Sequence, residues 1–367
     1  MRLFVDKRLQ EPISDGNVRF LNDEDDLSSL DKSRIVGKGT TGIVYQVSFQ
    51  KRRFTKELGT LDNYVAKLFL DDQRGSEGVY GSGYNRMMQE LGAAGKLDHA
   101  GLIRPVACYS DKKKPILVFP FWNGGTLEEM FRIWKRIDDP PVDRIKIPFS
   151  DKIKARLQIF KERRMELGQA LLEIVSHMHK RKMLHCDLHG KNILLHFPEW
   201  RWTMEHGGGV VSVADNDPKE IFIGIADTAL CQSFTEANHY TSHRWPRYQQ
   251  FARCLPPPHI APELSKLGGN LYNIDSDQPY TTDTDVFALG STLRRLCADF
   301  YRDGDNTKDF AVRRIIAKMT LSDPTQKGRI RGSAYEHLLA WRRYFRLENQ
   351  ERVYRPRQAY IVDNQPL

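Results

Sequence analysis

Cysteine is scarce in this chain of 367 residues. The five present (Cys108, Cys186, Cys231, Cys254 and Cys297) are scattered, odd in number and without a C-x-x-C pair. That argues against a disulfide framework or a cysteine zinc site, and for a reducing, intracellular setting, cytoplasm or nucleus. Long apolar runs are missing too: none approaches the roughly 20 residues needed to cross a bilayer, so no membrane span is expected. The segment Met1-Arg2-Leu3-Phe4-Val5-Asp6-Lys7 lacks the apolar core of a secretory signal. Internal repeats are absent. So is any zinc-finger or RNP-type motif, which leaves nucleic acid a disfavoured partner despite a net charge of +9. The basic residues crowd at 152–182 and 342–357, where solvated helix faces and a tail account for them.

What is present is an ordinary globular balance, 40% hydrophobic and 28% charged, in a chain long enough for two lobes with large cores. Residues 1–30 read as a poorly packed extension, acidic in its second half (Asp23-Glu24-Asp25-Asp26). From Arg34 to Phe119 short alternating runs predict strands at Ile35-Val36, at Ile43 to Val47, at Tyr64 to Leu70 and at Ile116 to Phe119. One helix, Arg86 to Leu97, interrupts them. Pro120 to Gly125 is punctuated like a hinge. Beyond it, Leu167, Leu171, Ile174 and Met178 recur on one helical face, as do Val286, Leu289, Leu293 and Leu296. A segment at about 197–220, holding Gly207-Gly208-Gly209, reads as an inserted hairpin or loop.

The most informative stretch is His185-Cys186-Asp187-Leu188-His189-Gly190-Lys191-Asn192-Ile193-Leu194-Leu195. An Asp and an Asn five residues apart, between a helical pattern and a short apolar run, can divide two tasks. One orients an attacking hydroxyl, and the other holds Mg²⁺ on nucleotide phosphates. Upstream, Val36-Gly37-Lys38-Gly39-Thr40-Thr41-Gly42-Ile43-Val44 is a G-x-G-x-x-G-x-V between two strands. A dinucleotide-binding turn would be followed by a helix; a strand follows here. In Val65-Ala66-Lys67 a lysine sits inside an apolar strand and needs a counter-charge, for which Glu90 is the candidate. Ile223-Gly224-Ile225-Ala226-Asp227-Thr228-Ala229 ends a strand on an Asp. Further on stand His259-Ile260-Ala261-Pro262-Glu263, Thr282 to Gly290, and Asp323-Pro324 followed by Arg329.

In this order, from about residue 35 to 340, these blocks resemble the eukaryotic-type protein kinases: glycine loop, V-A-I-K, H-R-D-x-x-x-x-N, D-F-G, A-P-E and the late C-lobe segments. The resemblance implies an α+β fold of two lobes, a small β-rich N-lobe with one main helix and a larger, mostly helical C-lobe. It implies a kinase N-lobe at 31–119, a hinge at 120–125, a C-lobe at 126–345 and a basic tail at 346–367. The activity implied is transfer of the ATP γ-phosphoryl group to a protein hydroxyl, with Mg²⁺ (or Mn²⁺) as the metal.

The resemblance also implies residue roles. Lys67, held by Glu90, grips the α- and β-phosphates, Asp187 is the catalytic aspartate, and Lys191 assists it. Asn192 and Asp227 hold the metal. Val36, Gly37, Gly39, Gly42, Val44, Val65, Phe119, Phe121, Trp122 and Leu194 surround the nucleotide, with Phe119 guarding the back of the pocket. His185, Asp285 and a Glu263–Arg329 pair are structural. The partner implied is a protein substrate, with a regulatory partner meeting the extension or the 197–220 insertion.

Three departures matter. Cys186 replaces the Arg of H-R-D, so control by activation-loop phosphate is expected to be absent or altered. Thr228-Ala229 replace Phe-Gly, and Ala94 is small in the same packing column; the active arrangement is expected to be loosely held. Lys191 and Leu255-Pro256 resemble tyrosine kinases, against a family base rate favouring serine/threonine. Serine/threonine transfer is the leading expectation. A tyrosine or dual-specificity kinase, a pseudokinase scaffold and a small-molecule phosphotransferase of the aminoglycoside or choline kinase type are the alternatives.

Overall fold

Period-two alternation builds the first lobe. A computed structural model of the chain describes residues 19–20, 35–38, 42–47, 64–70, 83–109, 115–138, 150–197, 200–204, 210–214, 221–234, 259–262, 265–268, 271–274, 280–298, 307–321 and 331–345. Strands β1 (Arg19–Phe20), β2 (Ile35–Lys38), β3 (Gly42–Val47), β4 (Tyr64–Phe69), β5 (Ala107–Tyr109) and β6 (Ile116–Pro120) form one sheet in the order β1-β5-β6-β4-β3-β2. Every pairing is antiparallel except β1 with β5. Successive side chains of a strand point to opposite faces. Tyr64, Ala66 and Leu68 therefore join Val47, Ala107, Ile116 and Val118 in one apolar cluster. Val65 and Phe69 join a second, with Leu117, Phe119 and Trp122. Helix α1 (Gly83–Lys96) contributes Met87 and Leu91 to that second cluster, so Lys67, in phase with Val65 and Phe69, lies on the face that meets α1.

Two expectations change here. Part of the extension is not unpacked: Arg19 and Phe20 pair in parallel with Ala107 and Cys108, satisfying backbone groups that an edge strand leaves open. Helix α1 begins three residues before Arg86, at Gly83, where a Cβ would stand 2.5 Å from the Phe69 carbonyl oxygen, so only glycine allows the close approach.

The second lobe is helical, with α2 (Leu127–Asp138), α3 (Asp151–Glu162), α4 (Arg164–Lys180), α5 (Thr282–Leu296), α6 (Thr307–Met319) and α7 (Ala334–Phe345). The α4 and α5 stripes named above are fully buried against each other and their neighbours. Each such side chain contributes about 1.5–3 kcal/mol on leaving water. Trp341 of α7 closes this core: its indole N–H donates to the Met165 carbonyl at 3.1 Å, and its ring fills the space over Gly168 of α4. Short strands β7 (Met183–Leu184) and β8 (Ile193–His196) flank the loop at 185–192, and β11 (Phe222–Ile225) pairs with β8. Between them β9 (Trp200–Met204) pairs antiparallel with β10 (Val210–Ala214). The activation segment enters through a 3-10 turn at Thr228–Leu230 and β12 (Gln232–Ser233), paired with β7; β13 (Ser265–Gly268) and β14 (Leu271–Ile274) form a last hairpin.

Residues 120–125 carry the chain from the end of β6 to the start of α2. Gly124 N–H donates to the Leu195 carbonyl, and Leu195 N–H returns a bond to the Gly125 carbonyl, both at 2.9 Å. The Asn123 side chain bonds both backbone groups of Phe197. Just beyond, Thr126 and Glu129 form a capping box that starts α2.

Candidate active site

The loop at 185–192, the expected catalytic loop, is a strained turn held from below. Cys186 has φ +65°, a left-handed conformation that costs a non-glycine residue of order 1 kcal/mol or more. Asp285, in the first turn of α5 and 2% exposed, offsets that cost. Its carboxylate accepts the backbone N–H groups of His185 (2.8 Å) and Cys186 (3.0 Å), and its Oδ2 lies 3.2 Å from His179 Nε2. A cap at Thr281, completed by Thr284, starts α5 so that Asp285 falls on the buried face. His185 Nδ1 accepts the Asp187 N–H at 3.3 Å, so Nε2 carries the proton and donates to the Ala226 carbonyl at 3.1 Å. One imidazole thus joins the loop to the residue before Asp227.

Asp187 is steered from two sides. Asn192 Nδ2 donates to the Asp187 carbonyl oxygen and to Oδ2, each at 2.9 Å. His189 Nε2 stands 3.4 Å from Oδ1. Burial alone would raise the Asp187 carboxyl, but the His189 bond and the imidazoles of His189, His185 and His259 outweigh it and hold it below the usual range. Because Asn192 spends Nδ2 on these bonds, its Oδ1 is the atom it can offer a cation. His259, pushed down to about 4 by burial and by His189, is neutral at pH 7.

Across the junction, Lys67 Nζ donates to Glu90 Oε2 at 2.7 Å and to Asp227 Oδ1 at 2.8 Å. Burial works against the ammonium, yet Asp227 and Glu90 hold its pKa above the ordinary lysine value. The two partners pull differently. Burial lifts Glu90 to about 7 even though Lys67 and the Thr228 N–H draw it down. A 2.7 Å contact to an ammonium is the geometry of an ionised carboxylate, so the pair is charged at neutral pH with little margin. Asp227 has φ +58°, and the 3-10 turn after it carries Thr228 under α1. There the Thr228 hydroxyl donates to the Glu90 carbonyl at 3.5 Å. Thr228 and Ala94 are 4% and 3% exposed. Both small residues of this column are therefore covered.

The predicted nucleotide-lining residues gather unevenly. Val65, Phe119, Trp122 and Leu194 share one apolar cluster, and Thr126 bridges to Leu194. The Trp122 ring points into the core, against Gly224 and 6.0 Å from His196, so only its backbone is left to meet a base. Phe121 is half-buried in the hinge. Val36 and Gly37 lie on β2 and Val44 on β3, paired across from Gly37. Gly42 has a packing reason for being glycine: a Cβ there would sit 2.2 Å from the Leu68 carbonyl oxygen. Lys191 is exposed, its N–H bonded to His189 Nδ1 at 3.1 Å.

Several expectations fall outside the described residues: Gly39, Glu263, Arg329 and Leu255-Pro256. Among the described residues, Arg331 is an arginine that is fully buried. It donates to the Leu321 and Asp283 carbonyls and stacks 4.8 Å over Phe287. Sequence reading also missed His189, His179 and His259 as parts of the site. The signal for His189 was its two-residue offset from Asp187; His259 lies 72 positions further along and had none.

Comparison with known proteins agrees with this geometry. The protein kinase domain family matches residues 30–329. No curated protein matches the sequence. Among the described residues, no helix is long and apolar enough to cross a membrane.

Proposed function

The chain belongs to the protein kinase family and is an ATP-dependent phosphotransferase acting on protein hydroxyls; from that premise we propose that it phosphorylates serine or threonine, with Asp187 as the catalytic aspartate and Lys67, Asn192 and Asp227 on the nucleotide and its metal. The observation that carries this reading is Lys67 Nζ within 2.8 Å of both Glu90 and Asp227, while Asn192 holds Asp187 at 2.9 Å. These are two polar pairs, Lys67 with Asp227 and Asp187 with Asn192, and the Ala226 N–H donating to the Asn192 carbonyl at 2.8 Å ties the residue before Asp227 to the loop. A scaffold without catalysis would have no physical use for so costly a gathering of buried charge.

The donor set fits a hard cation. Asp227 and Asn192 offer oxygens, as Mg²⁺ prefers, and these two residues would hold it. When bound, such an ion supplies charge neutralisation on the phosphates. The chain's own work is positioning. Lys67 supplies a fixed positive charge near the phosphates, oriented by Glu90 before substrate arrives. Asp187, anionic at pH 7 and kept so by His189 and Asn192, accepts a hydrogen bond from the acceptor hydroxyl and takes its proton. A carboxylate held below the usual range is a weak base. It therefore orients the hydroxyl and receives the proton late, as a loose transition state requires. A tyrosine acceptor is the second reading, favoured by the exposed Lys191 four residues after Asp187.

The test is transfer from labelled ATP to a generic protein substrate. Asp187→Asn should lower kcat by about 10³-fold or more while leaving nucleotide affinity intact. Equal labelling by variant and parent would end the assignment. Phosphoamino-acid analysis of the product separates serine and threonine from tyrosine.

A further inference from the structure

Beside the catalytic loop stand three side chains whose combination the phosphoryl-transfer chemistry leaves unused. Asp187, His189 and His259 each present one ligand-type atom, and the three atoms lie within 4.8 Å of one another. The imidazole centroids of His189 and His259 are 4.8 Å apart, and His189 Nε2 is 3.4 Å from Asp187 Oδ1. All three residues are half-buried, so an ion among them would keep one side open to water. His259 Nε2 is itself buried and has no hydrogen-bond partner among the described residues, a condition that buried polar atoms rarely keep. Around a tetrahedral zinc ion with bonds of about 2.0–2.1 Å, ligand atoms stand ~3.3 Å apart. One edge of the trio, His189 Nε2 to Asp187 Oδ1 at 3.4 Å, already has that length.

We propose that Asp187, His189 and His259 form an inhibitory site for a zinc-class divalent ion, held by two imidazoles and one carboxylate, with water completing its coordination. Imidazole donors select zinc and its neighbours, whereas magnesium prefers oxygen, so this ion is not the one assigned to Asn192 and Asp227. Capture has a cost. His189 Nδ1 accepts the Lys191 N–H at 3.1 Å, which makes Nε2 the protonated nitrogen. Coordination through Nε2 moves that proton to Nδ1 and surrenders the Lys191 bond; no net proton is released. The ion then staples the catalytic loop to the segment preceding Pro262 and occupies the oxygen that an acceptor hydroxyl needs. That consequence rests on the reading of Asp187 given above; the binding itself does not.

The experiment uses the full chain, stripped by chelator and free of nucleotide. It is titrated with Co²⁺, whose visible absorption reports coordination, and then with competing Zn²⁺. One equivalent of Co²⁺ with intense four- or five-coordinate bands, displaced by Zn²⁺, is expected. His259→Gln and His189→Asn should each weaken binding at least tenfold, with circular dichroism melts confirming that each variant folds; if one does not, the other decides. In transfer assays at buffered free zinc and saturating Mg²⁺-ATP, the zinc concentration that halves each protein's own zinc-free rate should rise at least tenfold in either variant. Chelator should restore the parent. A weak octahedral Co²⁺ spectrum, or binding indifferent to both substitutions, overturns the site. Zinc binding lost in Asp227→Asn but kept in the histidine variants assigns the ion to the nucleotide metal position and equally overturns it. Tight binding without slower transfer overturns the inhibitory role. If the protein transfers no phosphate at all, the Co²⁺ spectrum still decides the site, so failure of the kinase reading is told apart.

Discussion

Asp285 and Lys67 are both buried charges, but they are satisfied in different ways. Asp285 bonds two backbone N–H groups of a single turn, in the lobe where it resides. Lys67 bonds two carboxylates, one on α1 in its own lobe and one, Asp227, on the other. The first arrangement is a structural fixture: its partners cannot leave without unfolding the turn. The second crosses between lobes and depends on α1 and the Asp227 turn both being in place. The loop that holds Asp187 is therefore built into the fold, whereas the Lys67 contacts are assembled by lobe position. Damage to the two should read out differently, one in stability and the other in rate.

The largest effect after loss of Asp187 itself is expected at Asp285. Asp285→Ala leaves the N–H groups of His185 and Cys186 buried without an acceptor and removes what offsets the left-handed Cys186 backbone. Orphaning such groups should cost about 3–5 kcal/mol of stability. For a domain of this size that is on the order of a 10 °C fall in Tm. A thermal melt showing less than about 3 °C would mean that the turn holds itself, and the contrast with Lys67 would collapse.

Lys67→Met should do the reverse. Loss of the fixed charge should lower kcat/KM by about 10²-fold, yet stability at neutral pH should change little. The reason is Glu90. Burial already lifts its carboxyl to about 7, so without Lys67 it takes a proton instead of remaining a bare buried charge. The sign follows from linkage. A folded-state pKa raised above the unfolded value means that the native state binds the extra proton. Stability is then full below the ordinary carboxylate range and falls as pH rises through the folded value. Removing Lys67 raises that value further, so the variant should melt higher at pH 6 than at pH 8. A Tm independent of pH across that interval would show Glu90 to be ionised and satisfied by other partners.

The same contrast explains how much was legible in the sequence. Asp285 and His185 could be placed from local pattern, because helix cap, buried stripe and loop follow one another at fixed offsets. Lys67, Glu90 and Asp227 could be named by block order, since a lysine in an apolar strand demands a counter-charge. Their mutual distances could not be read, because they depend on how two lobes close. The edge strand at Arg19–Phe20 was not legible, as two residues carry no period and the pairing comes from an open sheet edge far along the chain. Arg331 was not singled out because no spacing or motif marks it, and its burial shows only in the folded chain. His259 was invisible for the same reason as the lobe contacts: it reaches Asp187 through space alone.

The smallest expected effect is the most discriminating for the threonine that stands in place of phenylalanine. Thr228 touches Glu90 by two routes, its backbone N–H toward the carboxylate and its hydroxyl toward the main-chain carbonyl. The hydroxyl contact, at 3.5 Å, is at the limit of a hydrogen bond and should contribute well under about 1 kcal/mol. Thr228→Val keeps the backbone donor, the branched shape and nearly the volume, and removes only the hydroxyl. If the lobe contact is made by the backbone, kcat/KM should fall less than about threefold, and the variant should melt within about 1 °C of the parent. A tenfold loss of kcat with unchanged Tm would transfer the weight to the hydroxyl. Thr228 would then be a positioning residue for α1, and the lysine side of the junction would hang on a single side-chain oxygen.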